Sequence, residues 1–326
     1  MSRIFAVFDN GKEPEHLTRL CHELLSEQKR GWPDLFQGYE ILTQVRQREI
    51  VCQGFSVFLQ YNPGRIKNSL ADVDKKAVEL RPCFLCPDNL PERQRGILYR
   101  KEYLILCNPA PVLSSHLTIS HLEHRPQTMA ENTHDFIQLI QDLGDAWTTL
   151  YNGPRCGASA PDHLHFQAVK RGALPVEAEI MREGRLARFF ETGGVRISRA
   201  KGLGREIIVL EGEDGAALAT VLRAVIRAMK SVLRPEEEVM MNIVGLLSNG
   251  KMRLLVFPRQ KHRPDAFFEK GEGRIVVSPG AVEMGGIFVT PMDRDFKRLD
   301  APAVEGILKE VCMDGRVVDK IMESLE

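Results

Sequence analysis

Leu17, Leu20, Cys21, Leu24 and Leu25 recur at helical spacing among charged residues, which predicts an amphipathic helix over 13–30 closed by Trp32-Pro33. Alternating apolar and polar positions then predict strands near 48–52 and 55–61, joined by a turn at Gln53-Gly54. Residues 68–80 are polar and read as a flexible stretch. Two further strands, 103–107 and 115–120, form a meander whose connection carries Pro109 and Pro111. The stripe Phe136, Ile137, Leu139, Ile140, Leu143 and Trp147 predicts a helix over 130–150. In the second half, short strands within 187–212 precede an apolar helix at 214–233. Strands at 239–246 and 252–257 follow, joined by Ser248-Asn249-Gly250, and helices at 302–311 and after Gly315 finish the chain. The pattern predicts an α+β fold.

Composition narrows the function classes. The 326 residues carry 44 basic and 44 acidic side chains, so no global charge points to nucleic acid or to a membrane surface. No apolar run is long enough to span a bilayer and Met-Ser-Arg-Ile-Phe5 lacks a secretory apolar region, so a cytoplasmic protein is expected. Seven cysteines, an odd number, fit reduced thiols better than a disulfide framework.

The candidate chemistry sits in 152–167. An Asn152-Gly turn leads through the small residues Gly157-Ala-Ser159 into Asp162-His-Leu-His-Phe-Gln-Ala168, which reads as a strand beginning near Asp162. His163, His165 and Gln167 are then expected on one face, with Leu164 and Phe166 on the other. Two imidazoles and an amide on a buried face are costly without partners or a reaction to perform. A neutral imidazole is a nucleophile toward phosphorus near pH 7. The Gly157–Ser159 loop offers backbone N–H groups and a hydroxyl to phosphate oxygens. Further upstream, a Pro-Gly turn delivers Arg65 and Lys67, either toward an anionic ligand or as an ordinary solvated basic loop. Cys83-Phe-Leu-Cys86 can place two thiolates on a tetrahedral metal, or form a redox pair or two buried thiols.

Taken together, G-A-S followed by H-x-H-x-Q resembles the nucleotidyltransferase branch of the histidine-triad superfamily. That branch includes galactose-1-phosphate uridylyltransferase, diadenosine tetraphosphate phosphorylase and the GDP-hexose phosphorylases. The resemblance is dense over 83–176, thinner at 60–67 and 250–290, and absent from the N-terminal helix. It implies two histidine-triad-like lobes, each an antiparallel sheet with packed helices, divided as 1–180 and 181–326. No second H-x-H is present, so the C-terminal lobe is expected to be catalytically silent. His116-Leu-Thr-Ile-Ser-His-Leu-Glu-His124 resembles the superfamily's H-x-L-V-I-P-x-x-H segment. On that alignment Cys83, Cys86, His124 and His163 form a structural zinc site, and His121 is not a ligand.

The resemblance further implies a double displacement. His165 attacks the α-phosphate, its Nδ1 proton held by the His163 carbonyl, while Arg65, Asn152, Ser159 and Gln167 offset charge on the phosphoryl oxygens. Gln167 cannot act as a base, which favours transfer over hydrolysis. The implied partners are a nucleotide-sugar or dinucleotide with phosphate or a sugar 1-phosphate as acceptor, no nucleic acid and no membrane. A homodimer is compatible with this reading. The wording around Asp162–Ala168 favours a GDP-hexose phosphorylase, whereas the C-x-x-C and His124 favour the uridylyltransferase. A hydrolase and a zinc-stabilised nucleotide-binding module without turnover are the rivals.

Overall fold

The computed structural model describes residues 3–9, 14–70, 75–234 and 238–325. Among the described residues fourteen strands follow in order: β1 (Ile4–Phe8), β2 (Arg46–Val51), β3 (Ser56–Tyr61), β4 (Gly96–Tyr99), β5 (Tyr103–Cys107), β6 (His116–His121) and β7 (Trp147–Asn152), then β8 (His165–Lys170), β9 (Leu186–Thr192), β10 (Val195–Ala200), β11 (Ile208–Gly212), β12 (Met241–Ser248), β13 (Lys251–Pro258) and β14 (Ile287–Thr290). Eleven of them form one sheet in the order β1-β4-β5-β6-β8-β7-β12-β13-β11-β10-β9. The strands of the first and second halves therefore occupy opposite ends of a continuous sheet, joined where β7 pairs antiparallel with β12. A separate three-stranded sheet, β14-β3-β2, brings the C-terminal β14 alongside β3 in parallel.

Both faces of the long sheet are covered. Leu254 and Val256 of β13 join a core with the helices Pro14–Gly31, Thr133–Leu143, Gly215–Leu233 and Gly315–Glu323, while Leu255 and Phe257 join a second core. That second core contains the small sheet and the helix Ala301–Val311. A strand buried on both faces needs apolar residues at successive positions, which is why β12 and β13 read as nearly unbroken apolar runs. The hairpin between them turns on Asn249 and Gly250, both at positive φ (50° and 76°), as a two-residue turn requires.

The structure corrects several sequence expectations. The helix expected over 130–150 ends at Leu143, where Gly144 takes φ 68°, and Trp147–Asn152 is strand β7. Trp147 fits a helical stripe and a buried strand equally well. Pro33 does not merely close a helix; it opens another, Pro33–Thr43, because proline at the first helical turn loses no hydrogen bond. Within 68–80, Lys75–Glu79 is helical rather than a loose segment, and 71–74 lie outside the described residues. The expected antiparallel sheets with packed helices are present, and two parallel pairings, β1–β4 and β14–β3, are added to them. No helix among the described residues is long and apolar enough to cross a membrane.

Candidate functional site

The motif residues converge on two adjoining places, a cavity and a thiol–imidazole cluster. The cavity, of about 410 Å³, is lined by His165 and Gln167 from β8 and by Asn152 from β7. Gly157, Ser159 and Arg65 complete that wall; Lys67 is exposed and does not line it. Arg65 donates to the Ala110 carbonyl (2.8 Å), as Asn62 does to Pro111 (3.3 Å) and Gln60 to Val112 (3.1 Å). The end of β3 thereby pins the 110–112 loop against the cavity. Arg81 holds the opposite loop by donating to the Ser159 carbonyl at 2.7 Å. Gly157 adopts φ 90° and packs so closely on Gly280 that a Cβ would lie 2.7 Å from the Gly280 Cα.

His163 and His165 do not share a face. His163 precedes β8, and its ring turns away from the cavity toward Cys83 and Cys86. Its backbone carbonyl accepts from His165 Nδ1 at 2.8 Å. That bond assigns the His165 proton to Nδ1 and leaves Nε2 as a lone pair facing the cavity. Burial drives the His165 pKa down to about 4, so the ring is neutral near pH 7. The His165 backbone is clamped as well: its N–H donates to Gln127 Oε1 (2.7 Å), and its carbonyl accepts from Gln127 Nε2 (3.0 Å). Gln127 also donates to the Asn152 carbonyl at 2.8 Å, so one buried amide fixes two residues of the site.

Gln167 is oriented by a neighbour on β6. The Nδ1 of His116 accepts from the Val112 N–H (3.3 Å), which leaves Nε2–H to donate to Gln167 Oε1 at 2.7 Å. With its oxygen so engaged, Gln167 turns its NH₂ toward the cavity. Burial holds the His116 pKa down at about 4, which keeps this donor–acceptor assignment fixed. The second half of the chain is not absent from the site. Ser278, Gly280 and Glu283 line the same cavity, and Glu283 Oε2 accepts from the Gly280 N–H at 2.8 Å. Burial lifts the Glu283 pKa to about 7, against the pull of Arg65 and Arg259.

Cys83, Cys86, His124 and His163 bring one donor atom each within 4.8 Å of one another. The sulfur–Nδ1 separations are 3.3 Å for Cys83–His163, 3.3 Å for Cys86–His124 and 3.6 Å for Cys86–His163. Donors around a tetrahedral ion with bonds of about 2.0–2.3 Å stand about 3.5 Å apart. The far nitrogen of each ring has an acceptor: His163 Nε2 on the His121 carbonyl (2.8 Å) and His124 Nε2 on the Asp162 carboxylate (3.2 Å). Both Nδ1 lone pairs therefore point at the thiols, the arrangement that orients metal-bound histidines. Burial, and then the neighbouring Cys83, push the Cys86 thiol up to about 11, a balance that a cation would reverse. The four residues fit a metal ion. His121 stays off the cluster with its side chain, whose Nδ1 accepts from the Glu123 N–H at 2.9 Å.

Residues 24–170 match the model of a domain of unknown function, DUF4922. No curated protein matches the chain. Among solved structures, yeast Ap4A phosphorylase Apa2 superposes with a TM-score of 0.59 at 14% identity, covering 93% of this chain and 95% of that one. Apa2 in complex with Ap4A gives 0.59 at 14% identity over 93% and 98%, and its complex with AMP 0.58 at 15% over 92% and 96%. The chain shares the fold of Apa2 over nearly its whole length. At these identities the likeness speaks for the fold, and the chemistry must be argued from the side chains.

Three residues that shape this site were missed in the sequence: Gln127, Glu283 and His116 as a partner of Gln167. His116 stood in a quoted motif, but nothing local announces a bond to a residue 51 positions away.

Proposed function

We propose that the protein is a nucleotidyltransferase of the phosphorylase type, acting on a nucleotide-sugar or a dinucleotide through a nucleotidyl-histidine intermediate. The observation that carries this reading is the His165 ring, neutral, with Nδ1–H on the His163 carbonyl and Nε2 facing a cavity that also holds two amide donors. In the first step Nε2 attacks the α-phosphorus. A P–N bond forms, and the P–O bond to the leaving sugar 1-phosphate or nucleotide breaks. In the second step an oxygen of inorganic phosphate attacks the same phosphorus, the P–N bond breaks, and neutral His165 is restored. Gln167 Nε2, Asn152 Nδ2 and Arg65 donate to the phosphoryl oxygens where charge gathers, with Ser159 at the cavity wall. GDP-linked hexoses stand first among donors on the wording of the motif. The likeness to Apa2, solved in complex with Ap4A, supports dinucleotides beside them.

Cys83, Cys86, His124 and His163 would hold one zinc ion, whose contribution is structural. Bound there, it would hold the His163 ring, whose backbone carbonyl orients His165. The test is intact-mass spectrometry after mixing the protein with a panel of nucleotide-sugars and dinucleotides, followed by product analysis with and without phosphate. An adduct of nucleoside monophosphate mass that phosphate discharges to nucleoside diphosphate supports the proposal. Products that phosphate does not alter would mark a hydrolase, and discharge by a sugar 1-phosphate alone would mark a uridylyltransferase-like enzyme.

A further inference from the structure

A line of hydrogen bonds runs into the cavity from the half of the chain that carries no nucleophile. Arg259, at the end of β13, is 1% exposed and uses all five of its N–H donors. Nε donates to the Val311 carbonyl (3.1 Å), and Nη2 to Lys261 (2.9 Å) and His262 (3.1 Å). Nη1 donates to the Pro279 carbonyl (3.0 Å) and to Asn242 Oδ1 (2.6 Å). Among the described residues no carboxylate pairs with it; every acceptor is a neutral oxygen. A buried guanidinium with no carboxylate in contact is an expensive feature, and an apolar replacement would usually hold the fold as well.

Asn242, fully buried on β12, passes the orientation on. With its oxygen on Arg259, its NH₂ donates to Asn152 Oδ1 (2.8 Å) and to the Cys156 carbonyl (2.7 Å). Asn152 Oδ1 also accepts from the Ala281 N–H at 2.7 Å, so both of its lone pairs are engaged. Only the Asn152 NH₂ remains for the cavity. The amide cannot flip without breaking both bonds to its oxygen. The same cation holds the Pro279 turn, and the same Asn242 holds the Cys156 carbonyl one residue before Gly157. Both loops flank the cavity.

We infer that Arg259 and Asn242 are positioning residues of the second half, which lock Asn152 as a hydrogen-bond donor to a phosphoryl oxygen. The inference rests on the proposed anionic substrate and adds a role for the half that has no H-x-H. Such a chain of aligned donors is polarised along its length, and it strengthens as negative charge accumulates on the phosphoryl group.

The experiment is a cycle of wild type, Asn242→Asp, Asn152→Ala and the double variant. Aspartate keeps the shape and still pairs with Arg259, but it cannot donate to Asn152. The Asn152 amide then turns its NH₂ to the new carboxylate and its oxygen to the cavity. The single-turnover rate of adduct formation at saturating donor should fall about 10²-fold in Asn242→Asp, with a smaller change in KM. In an Asn152→Ala background the same substitution should cost less than about threefold, because it acts through Asn152. Losses that multiply, or a wild-type rate in Asn242→Asp, overturn the inference. Should Asn242→Asp fail to fold, as a melting curve would reveal, Asn242→Ser is read by the same criteria.

Calorimetric binding of AMP, GMP and UMP to the four proteins separates this inference from the reaction. Wild type that binds a nucleoside monophosphate but forms no adduct defeats the transfer reading alone. The positioning role then stands if affinity drops about tenfold in Asn242→Asp and no further in the double variant, and falls if affinity is unchanged. Wild type that neither binds nor reacts defeats both.

Discussion

The carbonyl oxygen of His163 accepts from His165 Nδ1 at 2.8 Å, while the ring of the same His163 reaches Cys83 Sγ at 3.3 Å. One residue thus belongs to two places, its side chain to the thiol cluster and its main chain to the His165 ring in the cavity wall. Disturbance of the cluster should be felt as misalignment of His165.

Removal of the proposed nucleophile comes first. His165→Gly should abolish adduct formation and lower turnover by at least about 10³-fold, with folding retained, since its side-chain bond is to a local carbonyl. Added imidazole should restore part of the turnover. Intact mass and steady-state rates check this; wild-type turnover without imidazole would refute the covalent route.

Metal content is the second expectation. Purified protein should carry about one zinc per chain, by elemental analysis. Cys83→Ser should lower that content and depress the melting temperature by roughly 5 °C or more. It should also slow adduct formation, because His163 links the two sites. His121→Ala should leave zinc in place, since His121 serves His163 through its backbone carbonyl. It should cost about 1–2 kcal/mol of stability through loss of its edge contact with Tyr103. Metal-free protein of undiminished stability would count against the site.

Orientation of the Gln167 amide supplies the third. His116→Phe removes the donor that holds Gln167 Oε1. The amide is then free to present its oxygen to the substrate, and kcat should drop about 10–10²-fold with a smaller change in KM. Histidine alone places a donor on Gln167 and an acceptor on Val112 at once, so His116→Asn should recover part of the loss. Equal kcat for His116→Phe and wild type would dismiss the role.

Affinity for an anionic donor should depend on Glu283. Its pKa is raised to about 7, so the carboxyl is neutral below that value and anionic above it. A nucleoside diphosphate-hexose keeps a constant charge across this range, and Glu283 should repel it once ionised. Affinity should therefore fall by roughly tenfold from about pH 6 to about pH 8, and Glu283→Gln should flatten the profile. Calorimetry at several pH values decides it, and an equally steep profile in Glu283→Gln would rule Glu283 out.

Local spacing carried much of this site in the sequence. Cys83-x-x-Cys86 and His163-x-His165-x-Gln167 put their chemistry within one turn or one strand, where residue type and interval suffice. The helix Gly215–Leu233 and the β12–β13 hairpin were legible for the same reason. What escaped depends on contacts between distant segments. His116 meets Gln167 only because β6 pairs with β8, and Glu283 reaches the cavity only because 278–283 folds over Asn152. The opposed directions of His163 and His165 were hidden because β8 begins at His165, so the alternation of a strand does not yet apply at His163.

The pairing of β7 with β12 bears on any attempt to divide the chain. Residues 1–180 contain every motif named for the proposed reaction, yet β7 sits between β8 and β12. A fragment ending at 180 would strip the partner from Thr149–Asn152 and leave a row of bare amides along an apolar strand, an invitation to edge-to-edge aggregation. Such a fragment should collect in the insoluble fraction on expression, and co-expression of 181–326 should return it to solution by capping that edge.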